Sequence, residues 1–160
     1  MSNIKVVNPI ISNSLKEIDI YYRNPLLLKE TPKISNSADA VKYLRMVWGN
    51  RMDHVEEFLV LCLNRANHVL GYSRISRGGI AGTVADPKVI FQIALKANAT
   101  SLILSHNHPS GNPEPSESDK ALTKKLVDAG KVLEIHVLDH VIMTSESYFS
   151  FADEGILPSG

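Results

Sequence analysis

The chain has 160 residues, 44% of them hydrophobic and 21% charged, an ordinary balance for one globular domain with its own core. Seventeen basic residues meet 17 acidic ones, so the formal net charge is zero and no global field draws the protein to nucleic acid or to an anionic membrane. The single cysteine, Cys62, excludes an internal disulfide and a multi-cysteine zinc cluster, and no apolar run approaches the roughly 20 residues of a membrane helix.

The opening stretch, MSNIKVVNPIISNSLKEI, lacks the plan of a signal peptide, which points to a soluble cytoplasmic protein. Residues 1 to 13 carry no strong pattern and read as an arm. Residues 15–22, LKEIDIYY, alternate well enough for an edge strand, and 23–37, with two prolines, read as a connector. Residues 1–36 are therefore set apart as arm and edge strand, and 37–160 as the domain. Ser37 stands where an N-cap belongs, with Asp39 in the first turn. Val41, Leu44, Val47 and Trp48 follow at helical spacing, which predicts a helix over 38–49 closed by Gly49-Asn50.

Residues 56–63, EEFLVLCL, are apolar after their two acids, as a central strand buried on both faces should be, and they make Cys62 a core thiol. Asn64 to Asn67 is a turn, and 68–76 returns as a second strand. Arg77-Gly78-Gly79 ends it, and 80–85 reads as a short strand or bridge. Asp86-Pro87 starts a helix, cap then proline, with a packing face of Val89, Ile90, Ile93, Ala94 and Ala97. Residues 100–104, TSLIL, form a short buried strand that delivers the chain to His106. Ser116 opens another helix, packing through Leu122, Leu126 and Ala129 and stopped by Gly130. Residues 132–143 read as one long strand or two broken at Leu138-Asp139, and 148–151 close a hairpin through Ser145-Glu146. Without repeats or low complexity, this order of elements predicts an α/β (α+β) domain, a mixed sheet flanked by helices rather than a regular doubly wound one.

The chemistry concentrates in Ser105–Asp119, SHNHPSGNPEPSESD. Residues i and i+2 of an extended segment point to one side, so His106 and His108 can reach one point in space. Imidazole nitrogen suits zinc, and two such ligands leave a tetrahedral site incomplete. Asp119, returned by the turn from Pro109 to Pro115, is the nearest third ligand, and three protein ligands plus a water match an open catalytic site. Ser116-x-x-Asp119 before an apolar run is also a capping-box variant that needs no metal.

His106-x-His108-Pro109-x6-Ser116-x2-Asp119 resembles the metal motif of the JAMM metalloproteases, whose fold is the JAB/MPN-type mixed, curved sheet flanked by helices. The longer HNHPSGNPEPSESD, with LDHVIM downstream and EEFLVLCLN upstream, is similar to the RadC branch of that family. The resemblance runs from Glu56 to the C-terminus. The first 50 residues do not resemble the helix-hairpin-helix region that precedes this domain in full-length RadC proteins. The resemblance implies one zinc ion held by His106, His108 and Asp119, with Ser116 steadying the oxyanion. It also implies an upstream glutamate as general base. Glu56 and Glu57 both begin the buried strand and, being adjacent, face opposite ways. The family's Glu-x-Phe pattern selects Glu56, two residues before Phe58.

Asp139-His140 recurs in the RadC pattern and reads either as a pair orienting a ligand or as strand structure. His54, His68 and His136 have no spaced partner. Gly78-Gly79 and Thr83 read as loop-shaping residues, and Lys120, Lys124 and Lys125 as a solvated helix face. Arg65, Arg74 and Arg77 lack the aromatic interleaving of a nucleic-acid surface. The leading expectation is a zinc-dependent peptidase or isopeptidase acting on a peptide or isopeptide-linked protein substrate. A nucleic-acid-binding DNA-repair accessory protein and a non-catalytic interaction module are the competing readings. A zinc deaminase would need further cysteines.

Overall fold

The computed structural model describes residues 31–78 and 85–159. Its centre is strand β1 (Glu57–Leu63), every residue of which is buried, as the near-continuous apolar run requires. Four further strands join it: β2 (Val69–Arg77), β3 (Ser101–Asn107), β4 (His136–Met143) and β5 (Tyr148–Ser150). The sheet order is β2-β1-β3-β4-β5. Of these pairings only β3–β4 is parallel, so the sheet is mixed.

Helices cover both faces. Leu59, Leu61 and Leu63 of β1, Ile103 of β3 and Val141 and Met143 of β4 pack against helix α1 (Ser37–Trp48) through Ala40, Val41, Leu44 and Trp48. Phe58, Val60, Cys62, Leu102 and Leu104 pack on the other side, against helix α2 (Pro87–Lys96) and helix α3 (Glu117–Leu133). Each fully buried aliphatic side chain in these layers contributes about 1.5–3 kcal/mol of burial free energy. The Cys62 thiol is pushed up to about 11 by burial, the signature of a core residue rather than a nucleophile. Among the described residues no helix is long and apolar enough to cross a membrane.

Several boundaries differ from the sequence reading. Asn36, not Ser37, caps α1: its side chain accepts from the Asp39 amide, while the Ser37 hydroxyl donates to Asp153. Asp86 caps α2 as expected, but Phe91 is buried there and Val89 is 37% exposed, because the buried face is rotated towards Ile90, Phe91 and Ala94. Gly130 does not stop α3. The helix continues to Leu133 and ends at Glu134, whose φ of 54° is left-handed, so the predicted strand from 132 starts only at His136. The predicted edge strand at 15–22, Gly79, Thr83 and most of the short strand at 80–85 lie outside the described residues. Pro32 and Ile34 do lie along the start of β2, with the Val69 amide donating to Pro32 and the Ile34 amide to Asn67.

One irregularity decides which way the middle of β4 faces. Along β3, Leu102 pairs with Val137 but Ile103 pairs with Asp139, leaving Leu138 as an extra residue in β4. The bulge falls where the sequence reading allows a break.

Candidate metal centre

Strand β3 carries Leu102, Leu104 and His106 on the face that packs against α3, and His106 pairs with Phe58 on one side and Ile142 on the other. Its ring lies nearly parallel to the Phe58 ring, at 4° and 6.0 Å between centroids. Asn107 therefore points the opposite way. Its amide donates to the Met52 and Val55 carbonyls at 2.6 and 2.9 Å, and its oxygen accepts from the Glu57 amide at 2.8 Å. That residue satisfies three backbone groups at the end of the strand and fixes the level at which His106 sits.

His108 extends the strand by one step, its amide donating to Met143. The chain then turns through Gly111, whose φ of 80° favours glycine, and returns to α3. Ser116 caps that helix in a reciprocal box: its hydroxyl accepts from the Asp119 amide at 3.2 Å, and Asp119 Oδ2 accepts from the Ser116 amide at 2.7 Å. The capping reading and the ligand reading of Ser116-x-x-Asp119 thus hold together, because the same box aims the Asp119 carboxylate back at the two histidines.

The ligating atoms of His106, His108 and Asp119 all lie within 4.8 Å of one another. His106 Nε2 is 2.9 Å from His108 Nε2 and 3.3 Å from Asp119 Oδ1, and His108 Nε2 is 3.7 Å from Asp119 Oδ2. Ligand atoms about 2.0–2.1 Å from a tetrahedral zinc stand about 3.3 Å apart, a value these three separations bracket. The proton positions fit a cation as well. His108 Nδ1 lies 2.8 Å from the Asn112 carbonyl, which only accepts, so the ring proton of neutral His108 is there and its Nε2 presents a lone pair. Two imidazole nitrogens and a carboxylate converging on one point suit a divalent ion.

Burial sets the electrostatics. His106 is 1% exposed, and loss of solvation pulls its imidazole down to about 4, with the Asp119 charge opposing and His108 adding to the shift. Its other nitrogen, Nδ1, stands 2.8 Å from Nε2 of His140, a fully buried imidazole that is itself held well below the usual range by desolvation first and then by His106 and His108. His140 lies under the Phe151 ring at 4.9 Å.

The two candidate bases separate cleanly. Glu57 is buried on the α1 side, paired with Arg74 at 2.5 Å and Arg77 at 3.6 Å. Glu56 precedes β1, and its carbonyl accepts from the Gly78 amide at 2.8 Å, which carries the ladder one residue further. Alternation then sets Glu56 on the same side as Phe58 and His106. Of the arginines considered for nucleic acid, Arg74 and Arg77 are engaged by Glu57. Lys120 and Lys124 make helix-face pairs with Glu117 and Asp128, and His54 and His136 are exposed. Thr123 escaped the sequence reading, although Asp119 and Thr123 at i and i+4 share a helix face; Phe58 enters there only through the Glu-x-Phe pattern and Phe151 only as a hairpin residue, not as the rings that stack on His106 and His140.

A model of the RadC-like JAB domain matches residues 34–156. A UPF0758 protein of Flavobacterium johnsoniae is 48% identical over 124 residues, covering 78% of this chain and 53% of its own. UPF0758 proteins of Desulforamulus reducens and Methanosarcina barkeri are 37% and 38% identical over 158 and 128 residues. Those matches cover 98% and 80% of this chain, and 69% and 56% of the relatives. The chain thus spans about half the length of the Flavobacterium and Methanosarcina proteins.

Proposed function

This chain belongs to the RadC-like JAB domain family, and on that premise we propose that it is a zinc-dependent hydrolase of an amide bond, of the peptidase or isopeptidase type. The observation that carries the reading is the convergence of His106, His108 and Asp119, with His108 Nδ1 2.8 Å from the Asn112 carbonyl and its Nε2 turned towards His106. Zinc, when held by these three residues, supplies a Lewis acid that brings the proton of a water within reach of a neutral-pH base and polarises the scissile carbonyl. Glu56 takes the proton from the attacking water and returns it to the leaving nitrogen. The Ser116 hydroxyl donates to the oxyanion that develops at the carbonyl. In the resting arrangement that hydroxyl donates to Asp119 Oδ2 at 2.5 Å, so it must swing from carboxylate to substrate during turnover.

Glu56→Gln removes the base and leaves the ligands intact. The variant should retain the zinc content of the parent by elemental analysis while hydrolysis of peptide and isopeptide-linked substrates falls by about 10²–10⁴-fold. Undiminished turnover in Glu56→Gln would remove Glu56 from the mechanism. His106→Ala serves as the companion that loses the metal itself.

A further inference from the structure

His106 reaches outward to the cluster through Nε2 and inward through Nδ1, and what it meets inside decides which nitrogen carries its proton. Thr123 Oγ1 lies 2.6 Å from the Asp119 carbonyl and 2.6 Å from His140 Nδ1. A carbonyl only accepts, so the single hydroxyl proton of Thr123 goes to Asp119, and Thr123 accepts the Nδ1 proton of His140. His140 is 0% exposed, and among the described residues its ring meets Thr123, His106, Phe58 and Phe151, none of them anionic. A neutral imidazole has one proton, so His140 Nε2 is an acceptor, and at 2.8 Å it takes the Nδ1 proton of His106. His106 Nε2 is then left as a bare lone pair, 2.9 Å from the equally bare Nε2 of His108.

We infer that Thr123 and His140 are positioning residues that lock His106 in the tautomer able to bind a metal, and that they tie it to Asp119 in one closed circuit. The circuit runs from the Asp119 carbonyl through Thr123 and His140 to His106, so both of its ends are residues of the donor set. It rests on the reading of the cluster as a metal site. The bulge at Leu138 bears independently on it. With regular pairing, Asp139 would stand opposite Leu104 and His140 would turn to the α1 side; the extra residue brings His140 opposite Leu104, on the face of His106. Asp139 then anchors the turn of the strand, accepting from Ser150 Oγ at 2.6 Å, the His140 amide at 2.7 Å and the Ala152 amide at 3.0 Å.

The test uses the full chain, metal-free and titrated with zinc against a chromophoric chelator. Thr123→Val and His140→Phe, which keep shape and lose the relay, should weaken zinc binding by about 10–100-fold. Thr123→Ser and His140→Gln, which retain a hydroxyl and an acceptor, should restore it to within about threefold, a margin far below the 10–100-fold loss on deletion. Long-range ¹⁵N–¹H spectra of the metal-free parent should place the His106 proton on Nδ1, and this reading needs no variant to fold. A His106 proton on Nε2 in the parent, or parental zinc affinity in both Thr123→Val and His140→Phe, would overturn the inference. Failure of the parent to take up zinc would instead remove the metal reading, and the proton position would still decide whether the circuit exists.

Discussion

Two neutral imidazoles in the interior tie stability to pH. His106 is pulled down to about 4, and His140 is lowered well below its ordinary value of 6.5, both chiefly by burial. The unfolded chain accepts protons at these residues below about pH 6.5, and the folded chain does not until near pH 4 for His106. Stability is therefore complete above pH 6.5 and falls as pH drops from 6.5 towards 4, a depression that for His106 alone is on the order of 3 kcal/mol. Asp139 works the other way: burial raises its carboxyl, so acid through its raised range relieves part of its cost. Urea unfolding of the chelator-treated protein from pH 7.5 to 4 should show the net loss, and a flat profile would mean that the histidines are solvated. At this scale the sequence was legible where chemistry is local. His106, His108 and Asp119 lie on one short stretch, and the resemblance to a metal motif marks them as a set; the strand, the turn and the capping box bring them together. The sequence leaves His140 between a ligand-orienting role and strand structure and does not single out Thr123, because their contacts exist only through the packing of α3 on β4.

Helix α3 illustrates how an element is legible while its end is not. Gly130 reads as a stop because glycine is the common residue just beyond a helix. It lies instead inside the last turns, where a Cβ would come within 2.3 Å of the Ile135 carbonyl oxygen and 3.6 Å of the Phe91 ring. The Ile135 amide donates to the Gly130 carbonyl at 2.9 Å, so the chain doubles back against the helix at this point. Gly130→Ala, which would stabilise an exposed helix by about 1 kcal/mol, should here destabilise by roughly 1–3 kcal/mol, because backbone has to move. Denaturant unfolding decides it, and a neutral effect would show that the Ile135 carbonyl gives way freely. Val132 is 83% exposed and Leu133 40%, apolar residues on a final helical turn. A periodicity argument cannot tell such a pair from the start of a strand, which is why it begins β4 at 132 instead of His136.

Across the whole molecule, the candidate site draws on three neighbouring strands. Glu56 stands just before β1, His106 is next to last in β3, and His140 sits in β4, with Asp119 and Thr123 laid over them by α3. A ligand bound by that assembly is bound only by the folded chain, so zinc at 100 times its dissociation constant should add about 2.7 kcal/mol. For a chain of this size that is about 5–10 °C in Tm. Calorimetry before and after chelation, with zinc restored at the end, measures it; a midpoint indifferent to chelator would count against a resident ion. The mixed sheet with helices on both faces was legible from the order of elements, because buried runs and caps are local signals. Its bulge was not, since strand register belongs to pairs of strands. That bulge also leaves β4 with one residue of slack in its length. A relative lacking Val137 or Leu138 could straighten the ladder and still hold a histidine opposite Leu104. Loss of a residue after His140 would carry Val141 and Met143 off the core. Deletion, ordinarily the business of loops, thus has one permitted place inside this strand, and it lies just upstream of the histidine.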